Sequence, residues 1–440
     1  MRVPIVEEGA ENLKYEIRKI VALAKKIEQT GVKIVWENIG DPVAKGFEVP
    51  AWIKEKIATA VTDNTSYAYS PTAGLESART YIAGERNAEG GIHITKDDIF
   101  FFNGLGDAIS TIYSLLQKKA RVIGPNPAYP THSSAESAHA DSAHITYTLN
   151  PNDGWKPDLL ELEEKIKANN SIAGILIINP DNPTGFVYPQ ETLQAIVALA
   201  KKYSLFLISD EIYSNLAFPD SGMKKLASVV GDVPAIAMRG ISKEFPWPGA
   251  RCGWLEFYNR DKDKEFDEYC KSIMNSKMLE VCATTLPQAV LPQVMDDARY
   301  YPYLEQRVQK YQKRACLAKE KLSVIPELIV NEPRGAFYMT VVFRDGALND
   351  AQSLPVSIEV EAMLAQSAAE EALSLDRRFT NYLLGSEGIC VVALSSGFNS
   401  DQYGFRFTLL EEDDEKFDRI IESMIGSIQK YLQSSNETHP

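Results

Sequence analysis

Lys243 stands in Gly240-Ile241-Ser242-Lys243, directly after the apolar run Ala235–Met238. An amine at the end of a buried strand is desolvated, which depresses its pKa and makes it nucleophilic. Asp210-Glu211-Ile212-Tyr213 follows a second apolar run, Leu205–Ser209. A carboxylate there is costly unless it meets a cation, although Asp210 taken alone could also cap the next helix. Pro248-Gly249-Ala250-Arg251-Cys252-Gly253-Trp254 flanks an arginine with glycines, so its backbone can approach a ligand closely. Guanidinium suits two-pronged capture of a phosphate. A surface lysine and a surface arginine are the plain alternatives.

Three further stretches sit at strand ends. Asn179-Pro180-Asp181-Asn182-Pro183-Thr184-Gly185 follows Ile172–Ile178 and holds two Asn-Pro pairs, a stiffness that fixes Asn182 as a hydrogen-bond donor. Pro125-Asn126-Pro127-Ala128-Tyr129-Pro130 follows Arg121–Gly124 and holds Tyr129, either to stack on a flat ligand or simply to pack. Asn103-Gly104-Leu105-Gly106-Asp107-Ala108 follows Ile99–Phe102 and precedes the helical stretch Ile109–Gln117. Glycines ahead of a helix expose backbone N–H groups to an anion, and a plain strand-to-helix turn reads the same way. Together these ends offer an anion cradle, a ring stacker, an amide, a carboxylate, a phenol, an amine and a guanidinium. Pyridoxal 5'-phosphate asks for that set: it carries a phosphate, an aromatic ring, a ring nitrogen, a phenolic oxygen and an aldehyde.

These residues need a frame that brings strand ends together. The six apolar runs Ile99–Phe102, Arg121–Gly124, Ile172–Ile178, Leu205–Ser209, Ala235–Met238 and Cys252–Phe257 lack polar alternation and are separated by helical patterns. That is the pattern of a mostly parallel sheet flanked by helices on both faces, an α/β domain whose ligands bind at the carboxyl ends of the strands. Leu13, Ile17, Ile20, Val21, Ala24 and Ile27 predict an amphipathic helix over about residues 11–30, ended by Gly31. Residues from about 259 to 325 read as helical. Strand patterns at Ala336–Phe343 and Phe405–Leu409, mixed with helices, suit a smaller α+β domain, into which polar, Ala-rich Asp345–Leu375 is inserted as a loop plus helix. The expected division is 1–50, an N-terminal helix or arm and the start of the small domain; 51–310, the large ligand-binding domain; and 311–440, the small C-terminal domain.

Composition narrows the class. The 440 residues are 45% hydrophobic and 24% charged, enough for a sizeable core in two domains. A net charge of −14 repels phosphate backbones and argues against nucleic acid as the main partner. Cys252, Cys270, Cys282, Cys316 and Cys390 form no CxxC pair, and the five histidines show no metal-ligand spacing, so buried free thiols and no metal are expected. The N-terminus lacks a signal-type apolar core and no run approaches a membrane span, so no membrane is expected and the expected location is cytoplasmic.

The order of motifs resembles the class I/II aminotransferases of the aspartate aminotransferase fold, fold type I. It runs Tyr69…Gly74, Gly104–Ala108, Tyr129, NPDNPTG from Asn179, DEIY from Asp210, Ser242-Lys243, PGARCGW from Pro248 and GFRF around Arg406, spanning nearly the whole chain. The resemblance implies a pyridoxal-phosphate enzyme moving an amino group between an L-amino acid and a 2-oxo acid. It implies Lys243 as the Schiff-base lysine and proton shuttle and Asp210 as partner of the pyridine nitrogen. Tyr213 and Asn182 become donors to the phenolic oxygen, and Tyr129 the ring stacker. Ser242, Arg251 and the backbone of Leu105 and Gly106 become the phosphate cup. Arg406 matches the clamp on the substrate α-carboxylate, with Gly40 beside it. Tyr69 matches a tyrosine that reaches the neighbouring subunit's phosphate, which implies a homodimer with shared sites. Bulky Leu105, rigid Phe245-Pro246-Trp247-Pro248 and the Asp345–Leu375 insertion depart from the family pattern, and the insertion is a candidate edge of the site. The same fold hosts C–S and other amino-acid lyases, which often carry histidine where Tyr213 stands, so DEIY leans towards transamination. A regulator with a retired site would not keep Lys243, Asp210 and Arg251.

Overall fold

Runs such as Ile-Ala-Gly-Ile-Leu-Ile-Ile (172–178) and Ala-Ile-Ala-Met-Arg-Gly (235–240) are apolar on both faces, so they are stable only in a sheet covered on both sides. The computed structural model describes residues 3–13, 17–370 and 372–434, and in it these runs form the centre of such a sheet. A short β1 (Val35–Trp36) comes first. The main sheet is built from β2 (Ile99–Phe102), β3 (Arg121–Asn126), β4 (Thr146–Asn150), β5 (Lys156–Pro157), β6 (Ile172–Ile178), β7 (Phe206–Asp210), β8 (Ala235–Gly240) and β9 (Gly253–Tyr258). Then follow β10 (Leu328–Val330), β11 (Tyr338–Phe343), β12 (Ile389–Cys390), β13 (Val392–Ala393) and β14 (Gly404–Thr408).

The main sheet has the order β2-β9-β8-β7-β6-β3-β4-β5. The pairs β8-β7, β7-β6, β6-β3 and β3-β4 are parallel, while β9 runs against both its neighbours and β5 against β4. The second sheet, β10-β11-β14-β13, is antiparallel throughout. β1 pairs with β12, so the N-terminal stretch is tied to the C-terminal part of the chain. Thr146–Asn150 and Lys156–Pro157 were not read as strands from the sequence; they are short strands with polar residues beside apolar ones, β5 at the sheet edge and β4 next to it.

Boundaries shift where caps decide them. The helix expected from about residue 109 begins at Leu105, because Gly104 takes φ +83 as its N-cap and the Asp107 carboxylate in the first turn accepts the Asn103 N–H at 3.0 Å. Leu105 and Gly106 are therefore helical, not part of a preceding loop. The N-terminal helix is Ile17–Glu28, preceded by a 3-10 turn at Ala10–Asn12, and residues 14–16 of the expected 11–30 span lie outside the described residues. The 345–375 stretch is a loop followed by the helix Ile358–Glu370, with Glu371 outside the described residues. That helix does not edge the site: Val360 and Leu364 pack with Ala24, Ile27, Leu384 and Cys390, because the apolar face of the N-terminal helix needs a cover. Cys252, Cys270 and Cys390 are buried as expected, whereas Cys282 is half-buried and Cys316 exposed.

A charged cluster is sealed beneath the sheet. Arg86 Nε bonds Glu256 Oε2 at 2.7 Å, its Nη1 bonds Glu89 at 2.5 Å and its Nη2 lies 3.8 Å from Glu211. Arg239 Nη1 lies 3.8 Å from the other oxygen of Glu256, which also accepts from Trp254 Nε1, and Tyr258 donates to Glu256 Oε2. Burial pushes the Glu256 carboxyl up, but the guanidiniums of Arg86 and Arg239 outweigh it and hold the group at about 2. Its stabilisation is fully present above the ordinary carboxylate range and is lost as pH falls towards about 2. Glu256→Gln leaves two buried guanidiniums without their shared counter-charge. It is expected to cost about 3–5 kcal/mol at neutral pH, read as a lowered midpoint in denaturant with an unchanged slope.

Candidate functional site

Parallel strands deliver their last residues to one rim of the sheet. Asp210 is the final residue of β7 and is 3% exposed. Its Oδ1 accepts the Ile212 N–H at 3.1 Å, which satisfies one lone pair locally. Its Oδ2 faces His132 Nε2 at 3.2 Å, and His132 Nδ1 lies 3.3 Å from the Tyr113 hydroxyl. His132 was missed by sequence reasoning. It lies in the helix Pro130–Ala140 and meets Asp210 only because β3, which feeds that helix, lies one strand beyond β6.

Lys243 lies three residues past β8, partly buried, with its Nζ donating to the Gly40 carbonyl at 2.8 Å and lying 5.9 Å from the centre of the Phe337 ring. Burial, helped by the positive charges of Arg406 and Arg251 and opposed by Asp41 and Asp210, lowers its pKa to about 8. Ser242 precedes it and is also partly buried. Tyr213 is buried, with its hydroxyl 3.0 Å from that of Tyr338 and its ring edge-on to Phe337. Burial first, and then Tyr338, pushes its pKa well above the ordinary range.

The rim continues across the Gly104 turn. Gly104 is a glycine for two reasons: its φ is +83, and a Cβ would meet the Arg251 guanidinium carbon at 2.8 Å. Arg251 is itself left-handed, with φ 49, and its Nη1 donates to the Pro248 carbonyl at 3.3 Å. The guanidinium therefore lies against the N-terminus of the helix that starts with Leu105 and Gly106, two positive features aimed at one place. Tyr129 caps the neighbouring helix, with its ring edge-on to His132 at 6.3 Å.

Arg406 comes from the other sheet. It is 2% exposed, on β14, yet its Nη1 donates to Asn182 Oδ1 at 3.1 Å and its Nη2 to the Asn38 carbonyl at 2.6 Å. Its guanidinium lies 4.3 Å from the Tyr338 ring centre and 5.0 Å from that of Phe398. Among the described residues no carboxylate pairs with it, and its Nε has no hydrogen-bond partner. A buried guanidinium facing only neutral acceptors is a site for an anion. The structure thus gathers Gly40, Asp210, Asn182, Tyr213, Lys243, Arg251 and Arg406 at one cleft. It sets Tyr69 apart: that side chain is 84% exposed in its own chain.

Residues 35–423 match the family described as aminotransferase class I and II. An uncharacterized aminotransferase of Methanocaldococcus jannaschii is 51% identical over 434 residues, which is 99% of this chain and 100% of that one. The glutamate-pyruvate aminotransferase AlaA of Escherichia coli is 30% identical over 334 residues, 75% of this chain and 80% of that one. The solved structure of an alanine aminotransferase from Pyrococcus furiosus superposes with a TM-score of 0.83 at 25% identity, covering 97% of this chain and 100% of that chain.

An amine at about 8 has roughly a tenth of its population unprotonated at pH 7, against about one part in 2,500 for an ordinary lysine. In protein stripped of small molecules, Lys243 is expected to acylate at pH 7 about a hundredfold faster than surface lysines, with a rate that levels off above about pH 8. Peptide mapping by mass spectrometry after brief labelling checks this. Labelling of Lys243 no faster than the average lysine would contradict the buried-amine assignment.

Proposed function

This chain belongs to the class I and II aminotransferases and is a transaminase, and on that premise we propose that it moves an amino group between an L-amino acid and a 2-oxo acid, with pyridoxal 5'-phosphate held at Lys243. The observation that carries the reading is Arg406, a buried guanidinium that meets no carboxylate among the described residues. The α-carboxylate common to amino acids and 2-oxo acids supplies the missing anion. Relatives named glutamate-pyruvate and alanine aminotransferases make glutamate, alanine and pyruvate the first substrates to try. The proposed place of action is the cytoplasm; no described helix is long and apolar enough to cross a membrane.

The residues fit the cofactor. The glycine turn admits no Cβ where the Arg251 guanidinium lies, so that arginine, Ser242 and the backbone N–H groups of Leu105 and Gly106 would take the phosphate. Asp210 would meet the ring nitrogen, Asn182 and Tyr213 the phenolic oxygen, Tyr129 the ring face and Lys243 the aldehyde. When bound, the cofactor supplies an electron sink for the pair left at a substrate Cα. The chain's own part is positioning and proton movement. His132 orients the Asp210 carboxylate through the contact of its Nε2 with Oδ2. Lys243 Nζ, with its pKa lowered by burial, serves as the base at Cα near neutral pH. Arg406 and Asn182 fix the carboxylate, so that the Cα–H bond is presented to that amine.

Wild-type protein is expected to take up pyridoxal phosphate, hold it through dialysis and fix it covalently on borohydride reduction. Lys243→Ala should bind it without fixation and lose about 10²–10⁴-fold or more in turnover. Arg406→Lys should keep the cofactor but raise KM for amino acid and 2-oxo acid alike by roughly 10–100-fold, since an ammonium cannot reproduce the fork. Wild-type protein that takes up no cofactor, or an Arg406→Lys variant with unchanged KM, would refute the reading.

A homodimer with shared sites belongs to the same proposal. Tyr69 and Tyr67 are exposed, as are Met278, Leu279 and Val281. The two stretches are tied together, since Thr285 Oγ1 donates to the Ala68 carbonyl at 2.8 Å and Ser70 Oγ to that of Ala283. Across a two-fold axis, Tyr69 would serve the partner's phosphate. Tyr69→Phe should loosen the cofactor without unfolding the chain. Mixing Lys243→Ala with Tyr69→Phe chains should regain activity, approaching half the wild-type rate per dimer, because one site of the two then holds both native residues. No gain above the separate variants, with subunit exchange verified, would remove Tyr69 from a shared site.

A further inference from the structure

Tyr338, the first residue of β11, was not among the residues singled out in the sequence, yet it touches three parts of the cleft. Its ring lies under the Arg406 guanidinium, 4.3 Å from ring centre to carbon. Its hydroxyl lies 3.0 Å from the Tyr213 hydroxyl. It also occupies the space beside Gly40: a Cβ on that glycine would overlap the Tyr338 hydroxyl oxygen and come within 2.9 Å of Cζ. Gly40 is the residue whose carbonyl accepts from Lys243 Nζ. Gly40 has no positive φ, so its backbone does not require glycine; the neighbouring phenol does.

We propose that Tyr338 is a positioning residue for the transamination, one phenol that braces the carboxylate clamp, donates to Tyr213 and sets the Gly40 carbonyl against Lys243. This rests on the reading of the cleft as the amino-transfer site. Each phenol has one proton to give. If Tyr213 is to donate to a ligand oxygen, its own oxygen is free to accept, and Tyr338 is the hydroxyl within reach. A donor that is itself hydrogen-bonded gives a stronger bond onward. The charged and titratable groups around Tyr213 are Tyr338 on β11, Tyr129 ahead of the helix Pro130–Ala140, and Arg406 on β14. Of these, Tyr338 has its hydroxyl 3.0 Å from that of Tyr213. The aromatic face keeps the guanidinium in place by cation–π attraction, which holds more firmly away from water.

The test uses the enzyme loaded with pyridoxal phosphate. Tyr338→Phe keeps the ring and removes the hydroxyl. The pH midpoint of the bound cofactor's absorbance is expected to rise by about 0.2–0.5 unit, because the phenolic oxygen then receives a weaker bond. KM for amino acid and 2-oxo acid should stay within about threefold of wild type. Tyr338→Ala also removes the ring and should raise both KM values by about tenfold. Gly40→Ala should be strongly impaired in the wild-type background and partly rescued by Tyr338→Phe, which removes the overlapping oxygen; a defect from backbone strain would not be rescued. If the wild type takes up no cofactor, the reading of the site fails and takes this inference with it. If the wild type loads normally but the midpoint in Tyr338→Phe does not move, or Gly40→Ala is equally impaired in both backgrounds, the role of Tyr338 alone is overturned.

Discussion

A guanidinium buried to 2% exposure, with no counter-carboxylate among the described residues, is the constraint on which the cleft depends. Taking such a charge out of water is costly, and breaking its remaining bonds is costlier still. Arg406 therefore dictates where three distant stretches lie. β14 carries it from the smaller sheet, the loop after β6 meets it with Asn182, and the N-terminal stretch meets it with the Asn38 carbonyl. Two residues along the same strand, Thr408 Oγ1 donates to Glu37 Oε2 at 2.7 Å, and Lys45 Nζ pairs with Glu37 Oε1 at 2.7 Å. The strand thus grips the N-terminal stretch twice, and that grip sets Gly40 beside Lys243. Arg406 also bears on the amine through space, because its positive charge helps to lower the Lys243 pKa.

The frame was largely legible. The runs Ile99–Phe102 and Ile172–Ile178 are strands end to end, because apolar runs closed by Gly or Pro leave the chain little choice. β7 and β8 are displaced or extended by a residue or two, since a hydrogen-bonded ladder continues onto a polar residue when the next strand offers it a partner. Asp210 is the case in point: it pairs with both Ile178 and Met238, although its carboxylate made it read as the first residue beyond the strand. The family likeness in the sequence was legible for a related reason. Its motifs are strand ends, and strand ends are local in sequence even where the site is not.

The supports behind those motifs were illegible because their partners are remote. His132 reaches Asp210 across 78 residues, Tyr338 reaches Tyr213 across 125, and Arg406 reaches Asn38 across 368. Nothing near His132 in the chain marks it; its neighbours are Thr131 and Ser133 on an unremarkable helix. Tyr338 read as one more apolar strand residue, because a phenol in a buried strand is more often packing than chemistry. The insertion at 345–375 failed for the opposite reason. Its polar, Ala-rich composition suggested an edge of the site, while apolar residues within it, Val360 and Leu364 among them, pack with the N-terminal helix.

One strand reversal explains how Arg251 and Lys243 come to share one rim of a sheet with parallel strands. β8 ends at Gly240, and the chain then passes Lys243 before returning as β9 from Gly253. Because β9 is antiparallel, its first residue lies at the rim where β8 ends, so Gly240 pairs with Gly253 and Phe102 pairs with Gly253 on the other side. The approach is close: a Cβ on Gly240 would meet the Cys252 carbonyl oxygen at 2.9 Å, and one on Gly253 would meet a Leu105 methyl at 2.8 Å. Arg251, two residues ahead of β9, is thereby held on the same rim as Lys243 and against the Gly104 turn that follows β2. A parallel β9 would have put its preceding residues at the far end of the sheet, away from both. Gly253 of PGARCGW thus serves packing, and Leu105, which departed from the family pattern, fills the space that Gly253 leaves.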